Sequence, residues 1–229
     1  MQIAARHRRA AAMVMGVAGG IAVLLAGAAP ARAAVAPEFA FSIGYTEYRL
    51  DDTTVGELAR QGGLYLEPRV SAAPWDAHPQ LRVGVGLGFT LSMTTEDAGE
   101  SIVIGPGGPS TEDLDTYENL FLFVPELQIS WRQEWSDHYN LEVGVGAGGV
   151  YAHYSAGDVL GNTIYDDEIR ESDTALTVRP FVRLVYAKSD RFTGGFEGSY
   201  LWSGSLDLFD GVGGNLEQWY AGVFFCWTR

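Results

Sequence analysis

From Gln80 to Met93 the chain alternates with a period of two. Leu81, Val83, Val85, Leu87, Phe89, Leu91 and Met93 share one parity, and Gln80, Arg82, Gly84, Gly86, Gly88, Thr90 and Ser92 share the other. A strand sends these two sets to opposite faces, whereas a helix would scatter both around its circumference. Asn140 to Ala152 repeats the pattern: Leu141, Val143, Val145, Ala147 and Tyr151 oppose Glu142, Gly144, Gly146 and Gly148. Six further segments read as strands, namely Glu38–Leu50, Gly63–Ala72, Tyr117–Arg132, Thr174–Lys188, Phe192–Ser203 and Leu216–Trp227.

The connectors between these segments alternate in length. Loops are predicted at Asp51–Gly62, Thr94–Thr116, Ser155–Asp173 and Gly204–Asn215, and short turns at Ala73–Pro79, Gln133–Tyr139 and Ser189–Arg191. Long outer loops and short inner turns in strict alternation fit an all-β chain folded as an eight-stranded antiparallel up-and-down transmembrane β-barrel. A soluble β-sandwich or lipocalin-like barrel would turn the apolar face inward instead. Two observations favour the inverted arrangement. The non-apolar face is crowded with glycines and with charges of both signs, which suits a narrow interior. Aromatics gather near strand ends, among them Tyr45, Tyr48, Trp75, Trp131, Trp135, Tyr139, Tyr151, Tyr186, Trp202 and Trp227, as amphipathic rings do at two membrane interfaces.

The first residues read as an export address. Arg6, Arg8 and Arg9 precede an apolar Ala/Val/Gly/Leu stretch, and Ala31-Arg32-Ala33 supplies a small-x-small cleavage site. Residues 1–33 are therefore expected to be a cleavable signal peptide and residues 34–229 a single barrel domain, exported to the outer membrane of a Gram-negative bacterium. The whole sequence carries a formal charge of −14. The four basic residues of the leader leave about −18 beyond it, a balance that argues against a nucleic-acid partner. Cys226 is the only cysteine, so no intrachain disulfide can form. No segment after the leader has the eighteen consecutive apolar residues of a membrane helix.

The end of the chain holds the most specific motif. Tyr220-x-Gly222-x-x-Phe225-x-Trp227 resembles the C-terminal signal read by the barrel assembly machinery, although Thr228 and Arg229 follow the final aromatic. With that motif behind a leader, the sequence resembles the small eight-stranded outer-membrane barrels typified by OmpX and the OmpA transmembrane domain, and OmpW-like barrels are close in size. The resemblance implies contact with outer-membrane lipid and lipopolysaccharide and handling by the assembly machinery.

Candidate chemistry lies in three places. On the predicted lumen face Glu67, Glu126, Glu142 and Glu197 can pair with Arg69, Arg82, Arg179 and Arg183, because unpaired charges in a narrow interior are costly. Such pairs would brace a closed lumen; a gate or narrow path for small or hydrophobic solutes is the alternative. The predicted loops are acidic: Glu96, Asp97, Glu100, Glu112, Asp113 and Asp115 in one, and Asp158, Asp166, Asp167, Glu168, Glu171 and Asp173 in another. Carboxylates can attract divalent cations, but no calcium-loop spacing is present. His153-Tyr154-Ser155 with Asp167 or Glu168 is similar to the His-x-Ser pair and acid of an outer-membrane lipid A deacylase, which would make His153 the base and Ser155 the nucleophile. The family's Asn after the Ser is Ala156 here, so His153 and Ser155 are expected to be ordinary interface residues, with no catalytic residue assigned. His78 and His138 show no metal-ligand spacing, and no cofactor is expected. Pro68, Pro125 and Pro180 fall inside predicted strands and are expected at bulges or barrel rims.

Overall fold

The computed structural model describes residues 37–52, 56–105, 108–160, 163–164, 169–187, 192–209 and 212–228. The predicted leader at 1–33 and the turn at 189–191 lie outside the described residues. The strands are β1 (Glu38–Asp52), β2 (Gly56–Ala72), β3 (Leu81–Gly105), β4 (Gly108–Ser136), β5 (Tyr139–Leu160), β6 (Thr163–Ile164), β7 (Ile169–Ala187), β8 (Phe192–Phe209) and β9 (Val212–Thr228). Each long strand pairs antiparallel with its neighbours in the order β4-β3-β2-β1-β9-β8-β7-β5, and β4 pairs with β5. The sheet therefore closes on itself. Eight long strands make an up-and-down barrel, and β6 is a two-residue appendage on the end of β5.

Sidedness follows the alternation. In β3, Arg82, Gly84, Gly86, Gly88, Thr90 and Ser92 are buried, while Leu87, Leu91 and Met93 are exposed. In β5, Glu142 is buried, and Val143 and Val145 are exposed. The polar set faces the lumen and the apolar set faces outward, as the sequence predicts.

The strands run further than predicted on the long-connector side. Residues 94–116, expected as a loop, continue β3 and β4 as a ladder from Thr94↔Glu118 to Gly105↔Gly108. The expected loops at 51–62, 155–173 and 204–215 are likewise shortened by the ends of β1 and β2, β5 and β7, and β8 and β9. Alternation reports a strand only where its two faces meet different surroundings. Residues 94–116 show no such alternation, yet their backbone groups still find partners across a hairpin.

Two ladders end early on that side. The β2–β3 pairs end at Leu64↔Leu91, and the β7–β8 pairs end at Thr177↔Ser203. Above these points, among the described residues, the mouth is split by two seams into two leaves. One leaf is β3-β4-β5-β7, and the other is β8-β9-β1-β2. Ser92 Oγ donates to the Gly62 carbonyl at 2.8 Å, just past the end of the first ladder. An apolar cluster also joins the leaves: Leu120, Leu122, Val124, Val150 and Ala152 from one pack with Tyr48, Leu201, Leu206 and Leu216 from the other. This inward apolar cluster is absent from the sequence reading.

The three prolines correct a further expectation. Pro68, Pro125 and Pro180 sit mid-strand, and the register is unshifted across each. The pairs Leu66↔Phe89 and Arg69↔Gly86 flank an interruption at Pro68, Phe123↔Tyr151 and Glu126↔Gly148 flank one at Pro125, and Val178↔Trp202 and Phe181↔Ser199 flank one at Pro180. In each case the other ladder is intact, through Phe41, Leu87 and Val145 respectively. A residue's amide points to one neighbouring strand only, so losing that donor interrupts one ladder and leaves the register set by the other.

Candidate functional site

Parity places the lumen charges. Glu67 and Arg69 on β2, Glu126 and Arg132 on β4, and Arg179 and Arg183 on β7 are each an even number of residues apart. Each pair therefore shares a face of its strand. Arg82 on β3, Glu142 on β5 and Glu197 on β8 join them, and the eight lumen residues predicted from the sequence, which do not include Arg132, are all buried.

The structure joins these residues into one network. At the short-turn end Arg82 meets Glu38 at 2.8 Å, and Arg132 bridges Glu38 and Glu142 at 2.9 and 2.6 Å. Arg183 continues from Glu142 at 2.8 Å to Glu197 at 2.9 Å, and Arg69 closes on Glu197 at 2.5 Å. Acid and base alternate along this whole path. Higher in the lumen Arg179 pairs with Glu67 at 2.6 Å and with Glu126. Gln128 ties the two parts. Its amide nitrogen donates to Glu67 and Glu126 at 2.7 and 2.5 Å, and its amide oxygen accepts from Arg183 at 3.0 Å. An amide supplies donor and acceptor at once, which neither a carboxylate nor a guanidinium does.

Neutral groups satisfy the remaining valences. Tyr65 donates to Glu67 at 2.6 Å, Ser42 to Glu197 at 3.1 Å and Ser130 to Glu142 at 3.0 Å. The Arg183 guanidinium lies 3.8 Å from the Phe181 ring centroid, close enough for a cation–π contact. The network unites five glutamates with five arginines, so the lumen is electrically balanced although the chain is strongly acidic.

Glycines make the room. A Cβ at Gly86 would come within 2.6 Å of Gln128 Nε2 and 2.7 Å of Glu67 Oε1. At Gly146 it would meet Glu126 Oε2 at 2.5 Å. The space over these glycines is taken by side chains of the neighbouring strands, so the glycines face that filling rather than an open channel.

Two members escaped the sequence reading: Glu38 and Arg132. Both had a signal, because Glu38 shares parity with Ala40 and Ser42, and Arg132 shares parity with Glu126 and Gln128. Each stands at the end of a segment, where the inside or outside assignment is weakest.

The other candidates are not brought together. His153 Nδ1 lies 2.7 Å from Ser172 Oγ, not against Ser155, and the Tyr151 hydroxyl donates to the same Ser172 at 3.2 Å. Asp167 and Glu168 lie outside the described residues. His78 and His138 are exposed near the turns. Cys226 is buried in β9, with its thiol 3.5 Å from Glu38 Oε2. Of the acidic positions, Asp97 stands opposite Asp115 and Glu100 opposite Asp113 in the β3–β4 register, and Asp166 lies outside the described residues. Tyr220 and Gly222 face the lumen and Phe225 and Trp227 face outward, all on the strand that pairs with β1.

The fold defines a closed eight-stranded antiparallel barrel with a charged, side-chain-filled lumen. No protein-family model and no curated protein matches the chain. Solved structures similar to it are outer-membrane barrels. Ail, the attachment invasion locus protein of Yersinia pestis, is 17% identical over 84% of this chain and 99% of its own, with a TM-score of 0.43. Neisserial surface protein A is 10% identical over 83% and 97%, with a TM-score of 0.44. The outer membrane protease OmpT from Escherichia coli is 10% identical over 85% and 97%, with a TM-score of 0.45. At these values the likeness is one of architecture, and no role is taken from it.

Proposed function

We propose that this chain is an outer-membrane barrel of a Gram-negative bacterium, with a closed lumen and a structural or surface-interaction role. The observation that carries the reading is the inversion of polarity. Five glutamates and five arginines are drawn into the lumen network, while Phe39, Ile43, Leu87, Leu91, Val143, Val145, Val182 and Phe225 stand exposed on the outer wall. A water-soluble domain does the reverse, and an apolar surface of this extent suits hydrocarbon. A closed barrel satisfies the wall's backbone groups without an edge, as lipid demands.

Aromatic rings support the same placement. On β9, Trp219 and Trp227 both face outward eight residues apart. That is about 27 Å along a strand and roughly 20 Å once tilted, close to the ~25 Å band of outer-membrane barrels. Tyr200 packs edge-on against Trp202 and Trp219 at 4.4 and 4.5 Å in the ring nearer the long hairpins. The signal-like residues Tyr220, Gly222, Phe225 and Trp227 support recognition by the assembly machinery. The extended hairpins with their acidic residues are the surface offered outside the membrane.

The ion-pair network spans the lumen without an excess of either charge, so the protein is expected to seal rather than conduct. Purified protein in planar bilayers should show no stable single-channel steps, and it should migrate on gels in a heat-modifiable form. Large, reproducible conductance steps would refute the closed-lumen role. A second reading, a path for hydrophobic solutes, has one observation in its favour: the apolar lining above the charges. It requires solute to pass the charged layer or the wall, and uptake of a small alkane into proteoliposomes would establish it.

A further inference from the structure

The outer wall is not uniformly filled. Near the short-turn end, across β5, β7, β8 and β9, the residues Tyr139, Tyr186, Gly194 and Phe225 follow one another in register. Three are aromatic and the fourth has no side chain. The result is a notch of about 370 Å³ between Tyr139 and Tyr186 on one side and Phe225 on the other, with Phe196 and Val223 also lining it. Its volume falls within the range of small-ligand pockets. The two sides are stiffened by ring contacts, Tyr139 to Tyr186 at 5.2 Å and Phe225 to Phe192 at 6.2 Å.

Crowding does not account for the glycine. A Cβ at Gly194 would meet the Phe224 carbonyl oxygen at 3.1 Å and the Phe225 ring at 3.8 Å, so a small side chain fits with a shift of a few tenths of an ångström. The lumen glycines Gly86 and Gly146 allow no such addition. The notch opens onto the exposed apolar wall and is continuous with it through Phe196 and Val223. Its lining offers almost nothing to a polar group, and in a membrane an apolar hollow of this size does not stay empty.

We propose that this notch is a binding site for one lipid acyl chain, contributed by a phospholipid of the leaflet at the short-turn end. The aromatic walls grip the chain, and Tyr139 and Tyr186 lie at the depth where the glycerol and carbonyl region begins. The inference rests on the membrane reading above and deepens it.

The test uses the full-length barrel in bilayers of phosphatidylethanolamine and phosphatidylglycerol, doped with a phospholipid carrying a photoreactive diazirine in one acyl chain. Cross-links mapped by peptide mass spectrometry should concentrate on Tyr139, Tyr186, Phe196 and Phe225, several-fold above the exposed Leu87 and Leu91 of β3 on the far wall. Gly194→Leu, which fills the notch, should bring that labelling down to the background level, and Tyr186→Ala, which removes one side, should do the same. Both are read on the heat-modifiable, folded fraction. Labelling spread evenly around the wall, or labelling unchanged in the variants, overturns the site and leaves the membrane reading standing. Absence of labelling anywhere on a folded protein overturns both.

Discussion

Arg179 shows what a single lumen side chain does. It pairs with Glu67 and Glu126 in a space from which water is excluded. Removing it takes the ion-pair partner from Glu126 and leaves Glu67 with only the longer 3.9 Å contacts to Arg69 and Arg183. Arg179→Met is therefore expected to cost about 3–5 kcal/mol in a urea titration of the membrane-inserted protein, and Glu67→Gln with Glu126→Gln in the same chain should restore much of it. Gly146→Ala presses a methyl group on Glu126 Oε2 and should cost roughly 1–3 kcal/mol in the same titration. Gly194→Ala, which asks the Phe224 carbonyl to give by only a few tenths of an ångström, should lie within about 1 kcal/mol of the parent. The identities of the charged residues and their shared face were legible from parity. Their partners were not, because Arg132 reaching Glu38 across 94 positions depends on how the barrel closes. Gln128 carried no mark of its bridging role, since a neutral amide on a polar face looks like any other solvated residue.

Strands were legible where one side meets lipid and the other meets the lumen. The run from Leu81 to Met93 kept its parity throughout. Leu120-Phe121-Leu122-Phe123-Val124 did not alternate, and the structure shows why: Phe121 and Phe123 face outward while Leu120, Leu122 and Val124 fill the upper lumen. An unbroken apolar run signals burial on both faces, and that signal was present but unused. The outer hairpins escaped because their acidic and glycine residues are poor strand formers and keep no alternation. The two seams give an expectation at this scale. Amides of β3 beyond Leu91 and of β7 beyond Thr177 lack a partner strand on the seam side. Hydrogen exchange should find alternate amides there exchanging quickly, while those shared by β1 and β9 stay protected. Equal protection along both would contradict the split mouth. Leu122→Ala should loosen the apolar contact between leaves at a cost of about 2–5 kcal/mol.

For the whole molecule, fold class and sidedness followed from period and composition, whereas the role did not. Depth in the bilayer is testable directly. Val145 faces outward midway along β5 between Tyr139 and Tyr151, so Val145→Arg should destabilise the inserted protein by about 2–4 kcal/mol, as for a charge at a bilayer midplane. A soluble domain with the same exposed valine would tolerate that change almost freely.

The pairing of β1 with β9 runs from Glu38↔Thr228 to Asp51↔Asn215 without a shift in register. The cylinder is thus sealed by its most distant segments. A ribosome-bound or partly secreted chain has both margins of its sheet unzipped until β9 arrives, and its greasy exterior has nothing to sit against. Such a polypeptide folds late and all at once, with a strong tendency to clump beforehand. Diluted out of denaturant without lipid or detergent it should therefore precipitate, whereas added micelles or vesicles should rescue it, an outcome that light scattering would follow.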